Sequence, residues 1–296
     1  MAGSRRRGFW SSFQFVTLIG GQIAALAVLI VLQHLLSEAQ LRAWGWRIPF
    51  VIGAALALGV WAIQGRLEET AAFRADQARP QGAAATRGRG GSKTGQLLRE
   101  HPRETAIIFV LTAAGSLSFY CFTTYMQKFL TGTAHFSKTA ATSIAATSLI
   151  IFLIVQPLFG LAGDRFGRRA TLAFAFGGGA LTTWPILTAI GRTHDAGTAL
   201  ALVCAALFFL AGYTAVNAVV KAELFPTGVR ALGVALPYAL ANAVFGGTAE
   251  LVAEAFKKAG AEGGFYIYVS LVLAVAFVTA VRMRDTQAAG LIGEAG

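Results

Sequence analysis

Charge is scarce in this chain. Of its 296 residues 13% are charged and 55% are hydrophobic, where a soluble globular domain carries about 25% charged residues. With a mean hydropathy of +0.61, that deficit points to lipid as the solvent. Acid is scarcer still, with 14 Asp and Glu against 25 Lys and Arg for a net charge of +11. The basic excess falls between apolar runs and forms no basic face, which excludes nucleic acid as a partner. Cysteine occurs twice, Cys121 and Cys204, each inside an apolar run, which excludes a disulfide framework. The four histidines (His34, His101, His135 and His194) lie far apart near run ends, so no metal site is expected. Gly177-Gly178-Gly179 lacks the strand–turn–helix context of a nucleotide loop and suits close helix approach instead. No cofactor site and no enzymatic constellation is legible.

Apolar runs are what the chain has in abundance. A bilayer-spanning helix needs about 20 mostly apolar residues. Eight segments qualify, approximately 12–36, 46–64, 105–130, 139–160, 170–190, 197–220, 231–255 and 264–282. They predict an all-α membrane protein. Residues 65–104 interrupt the series with a polar stretch rich in Arg, Gly, Ala and Gln. Such a composition buries too little apolar surface to fold alone and reads as a linker whose ends continue as short surface helices. Counting loops alternately from the N-terminus, one side holds 18 of the Lys and Arg residues and the other holds seven. The richer side is expected to be cytoplasmic, with both termini on it. Arg5-Arg6-Arg7 before an apolar run has the look of an export signal, but the run is too long and no Ala-x-Ala site follows.

Residues 160–169 read Gly-Leu-Ala-Gly-Asp-Arg-Phe-Gly-Arg-Arg. This cationic, glycine-punctuated segment, read as a tight turn between two spans, resembles the loop signature of the major facilitator superfamily, with Ala162 and Gly163 where the pattern has Leu and Ala. The resemblance implies a fold of two six-helix halves joined by a central cytoplasmic loop. On that plan the chain is a partial facilitator fold of eight spans arranged 2 + 6. Residues 1–64 would be the last two helices of the N-terminal half, 65–104 the cytoplasmic linker, and 105–296 the C-terminal half. Four helices, and a first copy of the signature loop, are expected ahead of Met1. Longer stretches resemble the metabolite:proton symporter family within that superfamily: Gly8 to Gln22, Trp44 to Phe50 and Arg66 to Thr70. Ala113 to Leu117 and Phe122 to Lys128 resemble its α-ketoglutarate permease branch. Lys221 to Pro226, Val229 to Val234, Asn242, Phe245-Gly246-Gly247 and Glu250 resemble its penultimate loop and the helix that follows. Pro237 departs from the pattern, which has a serine-like residue there.

Asp164 is placed to accept hydrogen bonds from the first amides of a neighbouring helix, where the helix dipole favours its charge. Arg165, Arg168 and Arg169 are placed to bridge to carboxylates or helix C-termini, and Gly160, Gly163 and Gly167 to permit the turn. In the resembling family such a loop latches the cytoplasmic gate; the plainer alternative is positive-inside anchoring. Tyr120, Thr124 and Gln127 share a side by helical spacing, suiting either a cavity wall or interhelical hydrogen bonds. Lys128 either snorkels from the end of its span or attracts an anionic substrate. Asn217, Tyr238 and Asn242 are polar residues in apolar runs, candidates for substrate contact or helix glue. Glu250, an acid inside a span, is the candidate for proton coupling. Gln156-Pro157 is placed to kink the fourth span. No span carries Lys or Arg near its middle, so the main cationic clamp for a dicarboxylate is expected in helices ahead of this chain.

The resemblance implies a secondary transporter of a bacterial inner membrane, monomeric, that takes up a small organic acid, α-ketoglutarate foremost, together with a proton by alternating access. Shikimate, citrate and proline or betaine are the substrates of the rival reading within the family. A non-transporting membrane fragment is the rival outside it.

Overall fold

The computed structural model describes residues 6–64, 93–226 and 229–286, and among these every regular element is helical. In hydrocarbon each backbone amide and carbonyl must find its partner within the chain, which a helix achieves locally. Ten helices follow in order: α1 Arg7–Leu35, α2 Glu38–Gly45, α3 Arg47–Gln64, α4 Lys93–Glu100, α5 Pro102–Gly132, α6 Lys138–Phe166, α7 Arg168–Arg192, α8 Ala196–Glu223, α9 Arg230–Lys258 and α10 Glu262–Arg282. Seven of them are long and apolar enough to cross a membrane, and the α2–α3 pair, bent by 43°, makes an eighth. The expected spans are therefore present as helices, most of them longer at one or both ends than hydropathy alone indicates. The linker reading of 65–92 lies outside the described residues. Its C-terminal part, 93–104, is helical: α4, then the first turn of α5 begun by Pro102.

The helix starts follow from local chemistry. Ser137 caps α6 by accepting from the Ala140 amide at 3.2 Å. Asp195 caps α8 by accepting from the Thr198 amide at 2.6 Å. That hydrogen bond holds the Asp195 carboxyl below the usual carboxylate range. The cap is therefore in place at neutral pH and is lost only in acid, below the ordinary carboxylate value. At α2, Ser37 and Gln40 form a reciprocal capping box.

The chain divides into two compact units. The smaller, 25–96, holds the end of α1 with α2, α3 and the start of α4. Described residues of α3 expose apolar side chains all round, among them Phe50, Val51, Leu56, Leu58 and Trp61, as a helix solvated by hydrocarbon does. The larger unit, 1–24 with 97–296, is a helix bundle. In it α7 packs between α8 and α10, α6 packs on α8, and α5 packs on α9 and α10. Leu97 of α4 is buried against Ile108 and Phe225. Gly177 and Gly178 of α7 lie against Phe277 of α10 and Phe209 of α8, a close helix approach. Pro157 lies inside α6 without ending it.

Two features differ from the expected turn at 160–169. The α6 helix runs on through Phe166, and Gly167 alone, at φ +91°, turns the chain into α7. A left-handed φ at that one position is enough to reverse direction, and glycine adopts it without strain. Gly160 therefore serves packing rather than turning. A Cβ there would lie 2.7 Å from the Gly8 carbonyl oxygen and 2.9 Å from the Phe9 Cα. Its absence lets α1 cross α6 backbone to backbone. Gly160→Val is expected to destabilise the chain by about 2 kcal/mol, the usual cost of overpacking a tight contact. Denaturant unfolding in detergent micelles measures it, and an unchanged midpoint would contradict the crossing.

Candidate functional site

Two groups of polar side chains stand out in the larger unit. The first gathers at the α6–α7 turn. Asp164 accepts from the backbone amides of Gly8 at 2.8 Å and Phe9 at 2.9 Å. These amides belong to the first turn of α1, where the partial positive charge of the helix end favours a carboxylate. Asp164 also accepts from Arg168 Nη2 at 2.8 Å. Arg168, 1% exposed, reaches on towards Glu223 of α8, with Nε 3.9 Å from Oε2. Thr286 donates to the same Glu223 oxygen at 2.7 Å. Asp285 accepts from the Arg169 amide at 3.3 Å, closing the first turn of α7. Ser11 of α1 accepts from the Val219 amide of α8 at 3.2 Å.

The three arginines of the loop thus have different surroundings. Arg168 alone is buried in the carboxylate network. Arg165 lies over its neighbour Phe166, 5.5 Å from the ring centroid, and the Arg169 side chain is exposed while its amide makes the contact. The reason is the turn at Gly167. Asp164 lies in the last turn of α6, Arg168 opens α7, and the turn aims Arg168 back at Asp164, while Arg165 and Arg169 stay exposed. Glu223, Asp285 and Thr286 were not singled out from sequence. Glu223 lies within the quoted stretch Lys221 to Pro226, the one sequence signal that bears on it.

The second group surrounds a cavity of about 230 Å³ among α1, α5, α8 and α9. Its polar lining is Gln22, Ser116, Tyr120, Tyr213, Asn217, Tyr238 and Asn242, and Phe15, Leu18 and Phe119 complete the wall. Four of the residues predicted to contact substrate, Tyr120, Asn217, Tyr238 and Asn242, are therefore brought together. Thr124, Gln127 and Lys128 are not among the lining residues. Thr124 accepts from Gln22 Nε2 at 3.5 Å, and Gln127 donates to Thr142 of α6 at 2.7 Å, so Gln127 ties two helices together. The common face predicted for Tyr120, Thr124 and Gln127 fails because α5 contains a π-helical turn at Cys121–Tyr125. The wider turn shifts the phase of everything after it. A second π-helical turn, Asn242–Gly246, follows in α9, and Gly246 backs onto the Tyr120 ring. The α9 turn contributes Asn242 to the cavity, and the α5 turn begins directly after Tyr120, which lines it.

Lys128 and Glu250, further along α5 and α9, form an ion pair with each other, with 59% and 39% of their side chains exposed. Nearby, Lys257 donates to Thr133 at 2.9 Å, and Thr133 donates to Glu262 at 2.6 Å. Lys221, counted from sequence among the loop cations, lies inside α8 and is 4% exposed. Among the described residues no His, Cys, Asp and Glu cluster has the makings of a metal site.

Fold and site together define a multi-pass helical membrane protein with a cavity between its helices onto which several polar side chains converge. The model of the family described as sugar (and other) transporter matches residues 85–293, and the chain belongs to that family, within the major facilitator superfamily. The chain is 44% identical to the α-ketoglutarate permease of Escherichia coli K12 over 280 residues, 94% of this chain and 62% of the permease. It is 29% identical to the proline/betaine transporter of the same organism, over 95% of this chain and 57% of that protein. It is 27% identical to the citrate-proton symporter of Salmonella typhi, over 85% of this chain and 56% of that protein. The chain thus spans less than two thirds of the length of each of these relatives.

Cutting the buried pair takes from Arg168 its nearer counter-charge, the one it hydrogen-bonds, and leaves it Glu223 at 3.9 Å. Asp164→Asn is expected to destabilise the chain by about 3 kcal/mol, and adding Arg168→Met to recover most of that loss. Arg165→Gln and Arg169→Gln are expected to stay within about 0.5 kcal/mol of wild type. Unfolding of the four variants in detergent measures this; a double variant no better than Asp164→Asn would contradict the pairing.

Proposed function

We propose that this chain provides the eight-span part of a proton-coupled symporter for a small organic acid, α-ketoglutarate foremost, working by alternating access. The observation that carries the reading is the 44% identity to α-ketoglutarate permease along 94% of the chain. The cavity supports it, since a largely apolar wall with a few converging polar side chains is the usual make-up of a small-molecule site. The citrate-proton symporter among the relatives supports coupling to a proton. In this reading residues 1–64 and 105–296 belong to the two halves and 65–104 joins them. The membrane is the inner membrane of a bacterium, the α6–α7 turn and both termini face the cytoplasm, and the protein is a monomer that transports its substrate rather than converting it.

The Asp164 network is the cytoplasmic latch. It ties the first turn of α1 to the α6–α7 turn through a carboxylate that gives up its hydrogen bonds when the helices part. Tyr120, Asn217 and Asn242 contact the substrate. Glu250 carries the proton, and its bond to Lys128 is what protonation releases. Thr124 and Gln127 hold helices in place around them. The sequence similarity to a proline/betaine transporter keeps a zwitterionic substrate as the second reading.

Uptake of labelled α-ketoglutarate into vesicles bearing the chain tests this. An inward proton gradient is expected to drive accumulation that a protonophore abolishes, and unlabelled α-ketoglutarate is expected to compete better than citrate, proline or betaine. Glu250→Gln is expected to retain exchange across the membrane while losing gradient-driven accumulation. Uptake indifferent to the gradient would defeat the coupling, and stronger competition by betaine would transfer the reading to zwitterions.

A further inference from the structure

The sequence places no cation near the middle of a span, yet the structure buries one beside the cavity. Lys221 is 4% exposed, and its Nζ has no hydrogen-bond partner among the described residues. It lies 4.2 Å above the centroid of the Tyr238 ring, and Tyr238 lines the cavity. Asn217, one helical turn before Lys221 on α8, lines the same cavity. The acid nearest in sequence, Glu223, is engaged by Arg168 and Thr286.

An ammonium withdrawn from water without an anion is strongly unfavourable, and a ring face offsets only part of that cost. A structural lysine would have found a carboxylate. The cavity has further unmet polar capacity, since Asn217 Oδ1 and Gln22 Oε1 are buried without donors. The two ends of a side-chain amide exchange by a rotation about its terminal bond. Either amide therefore offers its NH₂ to an anion as readily as its oxygen to a donor.

We propose that Lys221 is a binding residue for a carboxylate group of the substrate, with Asn217 as its hydrogen-bonding companion and Tyr238 the ring that covers the ammonium until the carboxylate arrives. The inference rests on the cavity being the substrate site. It moves at least one cationic contact for an organic acid into this chain, where the sequence alone assigns it to preceding helices. Lysine acts here as a point charge that swings from ring to anion, a role its flexible stem allows.

Binding is measured by calorimetry on the full chain in lipid nanodiscs, with α-ketoglutarate, succinate, citrate and the uncharged dimethyl ester of α-ketoglutarate as probes. Wild type is expected to bind α-ketoglutarate and not the ester. Lys221→Met is expected to weaken carboxylate binding by about tenfold or more, the worth of one charge-assisted hydrogen bond, while its unfolding temperature equals or exceeds that of wild type. Lys221→Gln, which keeps a donor without the charge, is expected to fall between the two. Lys221→Arg is expected to bind within several-fold of wild type. Carboxylate binding unchanged in Lys221→Met, or lost in step with unfolding in both neutral variants, would overturn the proposal, as would a wild-type chain that binds none of the acids. If succinate or citrate binds in a Lys221-dependent way and α-ketoglutarate does not, the role of Lys221 stands and the α-ketoglutarate reading falls.

Discussion

The carboxylate of Asp164 is the point on which the larger unit turns. Two amides at the start of α1 and one buried guanidinium converge on it. Each is a group that a membrane protein must satisfy from within, because hydrocarbon offers no substitute. The geometry around it follows. Gly8 and Gly160 carry no side chains because α1 must come close enough for its amides to reach Asp164. Gly167 turns left-handed so that Arg168 re-enters a helix one turn beyond Asp164 and points back to it. Glu223 and Thr286 hold the far side of Arg168, which brings the ends of α8 and α10 to the same place.

A carboxylate shared between a helix end and an arginine is strong when assembled and expensive when partly assembled. It favours one arrangement of α1 against α6 over intermediate ones. That is the physical property a transporter gate needs, since alternating access depends on a few discrete arrangements of rigid helices. The cavity shares α1 and α8 with the network, with Ser11 and Gln22 of α1 reaching α8 and the cavity respectively.

Much of this was legible from sequence, and the failures have identifiable causes. Hydropathy located all eight spans because an apolar helix in lipid needs no tertiary context to be recognised. The dipole argument put Asp164 against a helix start because charge and ordered spacing survive without coordinates. What the sequence hid is phase and burial. Nothing in Cys121 to Tyr125 announces a π-helical turn, so Thr124 and Gln127 were assigned to a face they leave. Lys221 looked like a loop cation because it stands just past an apolar run, whereas the helix continues two residues beyond it to Glu223. Asp285 and Thr286 contact partners more than 60 residues away in sequence, a kind of pairing that no local pattern encodes.

Amide hydrogen exchange at Gly8 and Phe9, read residue by residue on the chain in nanodiscs, tests the central claim most directly. The first amides of a helix ordinarily exchange freely, having no carbonyl to bind. With Asp164 in place the account predicts that both are protected, and that Asp164→Asn exposes at least one of them while the mid-helix amides of α1 keep their protection. Free exchange of Gly8 and Phe9 in the wild-type chain would contradict it.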